Sequence, residues 1–140
     1  MRLVFLGASA LVVKTAQELI EADHEVVIIE RDAERIKELS GTLDCAFLQG
    51  DGSKPDVLKE ADPGRTDILY CVTNHDQTNI IASLIAKNLE IPRVVTMIED
   101  EEFLPICEEL GLKDTIIPLR TISRHLVGLT KASDVHASLK

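Results

Sequence analysis

Positive charge is scarce in this sequence. Fifteen Lys and Arg stand against 24 Asp and Glu, a formal net charge of −9. A nucleic-acid partner requires a basic footprint, and so does an anionic lipid surface, so neither is expected. Long apolar runs are also missing. Nothing approaches the roughly 20 residues of a membrane span, and the first residues lack the basic and apolar regions of a secretion signal. A cytoplasmic location without direct membrane insertion is the default expectation. The three cysteines, Cys45, Cys71 and Cys107, are widely spaced and form no CxxC. They read as reduced core thiols rather than as zinc ligands or a disulfide framework. His24, His75, His125 and His136 have no i, i+4 pairing and no cysteine company, so no metal centre is expected. No GxSxG supports a Ser-His-Asp nucleophile. Tryptophan is absent, and the one tyrosine, Tyr70, lies inside an apolar run with Asn74 rather than lysine four residues on. No catalytic residue is assigned.

What is present begins in the first thirty residues. Arg2 to Leu6 is a short apolar run that ends at Gly7. Ala8, Ser9 and Ala10 follow, and then Val12, Val13, Ala16, Leu19 and Ile20 recur at helical spacing. A second apolar run, Val26 to Ile29, closes with Glu30. Strand, glycine turn, helix, strand and terminal acid make the βαβ unit that holds the adenosine half of a dinucleotide. In that unit the acid, about 20 residues past the turn, accepts hydrogen bonds from ribose hydroxyls. A carboxylate there repels a 2′-phosphate, which favours NAD or an adenosine nucleotide over NADP.

The glycine fingerprint is incomplete. Gly7 supplies the tight turn, but Ser9 and Val12 stand where glycines would admit the pyrophosphate and close helix–strand packing. Ser9 still offers a backbone N–H at a helix N-terminus, which suits an anion. Its Cβ crowds the approach of phosphate oxygens.

The rest of the chain alternates strands and helices. Asp32 can cap a short helix carrying Ile36 and Leu39, ended by Gly41. Asp44 to Leu48 reads as a third strand running into the turn Gln49–Ser53, and Pro55 opens a short helix with Val57, Leu58 and Ala61. After the turn at Asp62-Pro63-Gly64, Asp67 to Val72 is a fourth strand. Asn74 or Asp76 can cap the next helix, whose expected buried face is Ile80, Ile81, Leu84, Ile85 and Leu89. Pro92 to Ile98 is a fifth strand. The acidic run Glu99–Glu102 leads to a helix with Leu104, Cys107 and Leu110, delayed by Pro105 and ended by Gly111. Asp114 to Pro118 is a sixth strand, and a last helix carries Ile122, Leu126, Val127 and Leu129. The expected fold is α/β, a doubly wound parallel sheet of about six strands with helices on both faces. One domain over residues 1–130 and a polar tail over 131–140 complete the expected organisation.

Several of these motifs together resemble one family. They are the turn at Gly7, Glu30 followed by Arg31-Asp32-Ala33-Glu34-Arg35, Gln49-Gly50-Asp51-Gly52, Thr73-Asn74 with Asp76-Gln77-Thr78-Asn79, and Gly111 ahead of Thr115-Ile116-Ile117-Pro118. The pattern, from Arg2 to about Leu129, resembles the TrkA N-terminal domain, also called the KTN or RCK N-terminal domain. The resemblance implies a Rossmann regulator of potassium transporters and channels that binds NAD(H) or ATP/ADP. It further implies a homodimer or higher ring assembly that passes ligand state to a membrane potassium transporter or channel subunit. By that resemblance Gly7, Ala8, Ser9, Ala10 and Leu11 lie at the phosphates and Glu30 on the adenosine ribose. Arg31 lies beside the adenine, Gly50, Asp51 and Gly52 near its edge, and Thr73 and Asn74 near the middle of the nucleotide. Ala10 stands where members often carry an arginine that reaches the phosphates. The family's last helix, here Ile122 to Leu129, commonly crosses to a neighbouring subunit.

Plainer roles stand beside these. Glu30 could merely end a strand in solvent, Asp51 form a turn, and Thr73, Asn74 and Asp76 cap a helix. Ser9 reads as a tolerated substitution. The run Glu99–Glu102 is a solvated face or a cation-holding dimer surface, and the Ile122–Leu129 face is core or interface. Among functions, a non-enzymatic regulator is the leading reading. An NAD(P)-dependent oxidoreductase lacks an acid–base pair and a substrate domain within these residues. A degenerate domain that only dimerises or docks remains open because the glycine motif is broken.

Overall fold

The computed structural model describes residues 1–139, with side chains through Lys131. Six strands, β1 (Arg2–Leu6), β2 (Glu25–Glu30), β3 (Ala46–Gln49), β4 (Ile68–Cys71), β5 (Arg93–Met97) and β6 (Asp114–Ile116), form one sheet in the order β3-β2-β1-β4-β5-β6. Every adjacent pair is parallel. This is the Rossmann-like, doubly wound order. The chain leaves the centre through β1 and β2, then returns past β1 to β4, so the two central strands meet at a topological switch point.

The period of two along β1 sets the layers. Leu3 and Phe5 face one core, with Val26 and Ile28 of β2 beside them. Val12 and Ala16 of α1 (Ala10–Glu21) and Leu39 of α2 (Ala33–Ser40) cover that side. Val4 and Leu6 face the other core, with Val27 and Ile29, under Leu58 of α3 (Pro55–Glu60) and Ala82 and Ala86 of α4 (Asp76–Asn88). A smaller cluster joins Ile80 of α4 to Cys107 of α5 (Leu104–Glu109), with Leu112 and Ile117. Because both faces of β1 and β2 are covered, their sequences are continuous apolar runs rather than alternating ones.

Several expectations shift in detail. The third strand starts at Ala46, two residues later than Asp44, and the sixth ends at Ile116 because Pro118 already belongs to α6 (Pro118–Leu139). Proline suits a first helical turn and cannot donate to a ladder. Pro105 likewise sits in the first turn of α5, and Gly111 beyond that helix adopts φ +77°. The buried face of α4 is broader than the expected one: Ile80 is buried and Leu84, Ile85 and Leu89 pack against the core, but Ile81 is 47% exposed, and Asn79, Ala82, Ser83 and Ala86 are buried as well. Small residues there let the helix lie close to β4 and β5. Neither Asn74 nor Asp76 caps α4. His75 occupies the cap position without a side-chain bond, and the Asp76 carboxylate accepts the Glu99 and Asp100 amides across the sheet edge at 2.9 and 3.0 Å.

The last helix is longer than expected. α6 has 22 residues and continues to Leu139, through most of the segment expected as a tail; Lys140 lies outside the described residues. Its side chains Leu119, Ile122, Leu126, Val127 and Leu129 are all more than half exposed, so they are not core of this chain.

Candidate nucleotide-binding cleft

The site is built where β1, β2, β3 and β4 end. At the exit of β1, Gly7 has φ +79°, a conformation that costs a residue with Cβ but not glycine. Its amide donates to the Ile29 carbonyl at 2.7 Å, which ties the turn to β2. A Cβ on Gly7 would sit 3.3 Å from Thr73 Cγ2, so the turns after β1 and β4 nearly touch.

Ser9 next begins α1. It is extended, and its Oγ accepts a hydrogen bond from the Val12 amide at 3.2 Å. The hydroxyl that looked incidental in sequence is the helix cap, satisfying one of the free N-terminal donors. Val12 is fully buried and packs with Phe5 and Ile28, filling the helix–strand contact where the fingerprint has glycine.

Glu30, at the end of β2, uses both carboxylate oxygens locally. Oε1 accepts the Ala8 amide at 2.8 Å, and Oε2 accepts the Asp32 amide at 2.8 Å. The Ala8 carbonyl in turn accepts Arg35 Nε from α2 at 3.1 Å. The peptide groups on either side of Ala8 are thus held by an acid and a base from neighbouring elements. Asp32 caps α2 through the Glu34 amide at 3.0 Å.

The turn after β3 is shaped by packing. A Cβ at Gly50 would come within 2.8 Å of Val57 Cγ2, and one at Gly52 would run into the Leu6 side chain. Asp51 folds back on the turn, its Oδ1 accepting the Ser53 hydroxyl at 2.7 Å and the Ser53 amide at 2.9 Å. These two bonds, the hydroxyl's first, hold the Asp51 carboxyl below the usual carboxylate range. Arg31 and Lys54 add attraction in the same direction, and burial opposes it. The turn-forming role of Asp51 is therefore realised.

Together these turns enclose a cleft of about 330 Å³ at the carboxyl ends of the strands. Its lining includes Gly7, Ala8, Ser9, Glu30, Arg31, Gly50, Asp51, Gly52, Thr73 and Asn74. Ala10 and Leu11, expected beside them, point elsewhere: both are exposed on the first turn of α1 and do not line the cleft. Leu6 and Ile29 also line it, as do His75 and Thr78 from the start of α4. His75 and Thr78 had no assigned role in sequence, and neither had Asn79, which lies fully buried behind Thr73. One signal was available: Asn79 and Ser83 are polar residues four apart on a helix whose neighbours are apolar. Tyr70 is not part of the cleft. Its ring stacks on Phe5 with centroids 4.4 Å apart, and burial raises its hydroxyl pKa. Cys71 and Cys107 are buried and Cys45 is half-buried, all three as free thiols. Burial pushes Cys71 up to about 12 and Cys45 up to about 11, so neither offers a thiolate near neutral pH.

Comparison with known proteins matches this arrangement. The TrkA-N domain model matches residues 3–118. The Trk system potassium uptake protein TrkA of Vibrio alginolyticus is 34% identical over 120 residues, covering 85% of this chain and 26% of that protein. A TrkA homolog of Archaeoglobus fulgidus is 31% identical over 142 residues, covering 96% of this chain and 32% of that one. The chain thus spans between a quarter and a third of the length of these relatives. Among solved structures, the NAD(P)-binding domain of an exopolyphosphatase-related protein from Archaeoglobus fulgidus superposes with a TM-score of 0.82 at 14% identity, covering 93% of this chain and 97% of that one. The Shewanella denitrificans Kef CTD in AMP-bound form gives 0.77 at 13% identity, covering 99% and 92%. The GsuK channel bound to NAD gives 0.75 at 14% identity, covering 86% and 22%. At such identities the structural likenesses establish the fold. The family rests on the domain match over most of the chain: this protein belongs to the TrkA-N domain family.

Proposed function

We propose that this chain is the nucleotide-binding regulatory module of a potassium uptake or transport system. It is non-enzymatic and cytoplasmic, and reaches the membrane through a partner. No helix among the described residues is long and apolar enough to cross a membrane. The observation that carries this reading is the cleft at the switch point, with the Glu30 carboxylate in its wall. Ligands of open parallel sheets sit in that crevice.

An ionised carboxylate has about four acceptor positions. Two on Glu30 are taken by the Ala8 and Asp32 amides, which leaves two for the vicinal hydroxyls of a ribose. The same charge repels a 2′-phosphate, so NAD(H) or ATP/ADP is the expected ligand class. Gly7, Ala8 and Ser9 then face the phosphates. Arg31 and the Gly50-Asp51-Gly52 turn flank the adenine, and Thr73 and Asn74 lie toward the middle of the nucleotide. Relatives named as potassium uptake proteins and the NAD-bound channel support this assignment.

Regulation is a matter of differential affinity. A ligand shifts an assembly only as far as it prefers one quaternary arrangement over another. The exposed apolar stripe of α6 supplies the surface through which two copies would pair, and a ring of such pairs would act on a membrane transporter or channel.

Calorimetric titration with NAD⁺, NADH, ATP, ADP and AMP in turn tests the reading. Micromolar binding of one of them is expected. Absence of binding to all five would leave the docking-only function. That alternative is favoured by one observation: Ser9 Oγ and Glu30 already occupy two of the amides nearest the phosphate position.

A further inference from the structure

Thr73 lines the cleft, and its polar atoms are engaged by Asn79. Its amide and its hydroxyl both donate to Asn79 Oδ1, at 2.9 and 2.7 Å, and its carbonyl accepts Asn79 Nδ2 at 3.0 Å. The second Nδ2 proton goes to the Met97 carbonyl at the end of β5, at 2.9 Å. A side-chain amide has two donors and an acceptor oxygen with two lone pairs. All are used here, in a residue with no solvent exposure. The Thr73 methyl is the group that nearly meets Gly7.

A polar seam continues behind this contact. Ser83 Oγ donates to the Asn79 carbonyl at 2.7 Å and pairs with Thr96 Oγ1 at 2.7 Å, all three residues fully buried. Apolar side chains of the same size would hold α4 on the sheet equally well. What a fully satisfied polar contact adds is a single register, because any slip leaves buried donors and acceptors unpaired.

We propose that Asn79 is the positioning residue of the cleft. It clamps the β4–α4 wall, Thr73 to Thr78, to the end of β5, so that the wall is already in place when a nucleotide arrives. This rests on the reading of the cleft as an adenine-nucleotide site. Asn79 touches no ligand itself and acts through Thr73. Aspartate cannot replace it: the acceptor survives, but Thr73 and Met97 lose their donors. Serine is too short to span both carbonyls.

The test combines hydrogen exchange with titration. In the wild-type protein the Thr73 amide and the Asn79 Nδ2 protons should exchange at least 100-fold more slowly than the Asn74 amide. Fast exchange at Thr73 and Asn79 overturns the proposal whatever the protein binds. Asn79→Asp and Asn79→Ser should each weaken AMP and NAD⁺ binding at least tenfold and accelerate exchange across residues 73–78, while amides of the β1–β2 ladder stay protected. Ile91→Val is the control for mere structural loss. It empties a buried position beyond the far end of α4, away from the cleft lining, and should lower thermal stability while keeping AMP affinity within twofold. Equal loss of affinity in Ile91→Val and the Asn79 variants, or unchanged affinity in the latter, rejects the positioning role. Should the wild-type protein bind no nucleotide, the nucleotide reading fails and the exchange rates alone decide the clamp. They decide it equally if the Asn79 variants do not fold.

Discussion

Glu30 Oε1 and the Ala8 amide nitrogen stand 2.8 Å apart, joining the end of β2 to the glycine turn after β1. The residue expected to bind ribose therefore also fixes the turn expected to bind phosphate. Glu30→Ala should weaken adenine-nucleotide binding at least tenfold, since a charge-assisted contact contributes about 1.5–3 kcal/mol. Glu30→Gln keeps the acceptor for Ala8 but loses the charge, and should fall between Ala and wild type. Calorimetry on the three proteins decides this; unchanged affinity in Glu30→Ala would take the residue out of the ligand's reach.

Ser9 separates helix capping from phosphate access. Its Oγ caps α1, so Ser9→Ala should cost about 1 kcal/mol of stability, whereas Ser9→Gly should cost only about a few tenths. Glycine also removes the Cβ that crowds the phosphate approach, so Ser9→Gly should tighten nucleotide binding. Denaturant melts measure the first effect and titration the second. Weaker binding in Ser9→Gly would mean that the hydroxyl is itself a ligand contact.

Two glycines should respond oppositely to alanine. A Cβ on Gly52 collides with the Leu6 side chain, which is packed in the core and lines the cleft floor. Overpacking of this kind costs about 1–3 kcal/mol. Gly41 ends α2 at φ −82° with nothing near a new Cβ, so Gly41→Ala should stabilise by about 0.4–1 kcal/mol through the unfolded chain. Urea melts that fail to separate the two variants would contradict the packing role of the Gly50-Asp51-Gly52 turn.

Asp51 carries a pH signature. Its folded carboxyl is held below its unfolded value, chiefly by the Ser53 hydroxyl. The folded state thus favours the ionised form. The resulting stability is complete above about pH 4, the unfolded carboxylate pKa, and is lost as pH falls through the folded value. Thermal melts from pH 2 to 6 should show a gap between wild type and Asp51→Asn that closes toward the acid end. A gap independent of pH would assign the effect to turn geometry alone.

The strands were legible because burial on both faces makes them continuous apolar runs, as in Val26 to Ile29, and the acid at position 30 marks the edge where the cleft lies. Boundaries were less so: Pro118 closes a strand pattern and opens a helix with equal plausibility until the chain's path is known. On α4 the large residues Ile80, Leu84, Ile85 and Leu89 mark the packed side, but periodicity of large residues does not show that Ile81 lies outside it or that Asn79, Ala82, Ser83 and Ala86 turn to the sheet. Asn79 and the Asp76 carboxylate stayed hidden for a further reason. Their partners, Met97 and the Glu99 and Asp100 amides, lie 18 to 24 residues away and come near only once β4 and β5 are paired. A hydroxyl cap such as Ser9 is a local feature and could have been read directly. Where the fingerprint has glycine, Ser9 supplies the oxygen that accepts the Val12 amide.

The stripe on α6 yields the prediction with the plainest readout. Leu119, Ile122, Leu126 and Leu129 recur at spacings of three, four and three, which places them on one helical face, each more than half exposed. The helix's first turn is anchored to the body by Arg120, whose guanidinium lies 3.4 Å from the Glu101 carboxylate. Because the stripe makes few contacts with its own chain, a charge placed on it should leave folding intact while disrupting any pairing. Wild-type protein is expected to be a dimer in light scattering at high concentration. Ile122→Asp with Leu126→Asp should give a monomer whose melting temperature in dilute solution is unchanged. A wild-type monomer would remove the dimer, and loss of folding in the double variant would mean that the stripe packs on its own domain after all.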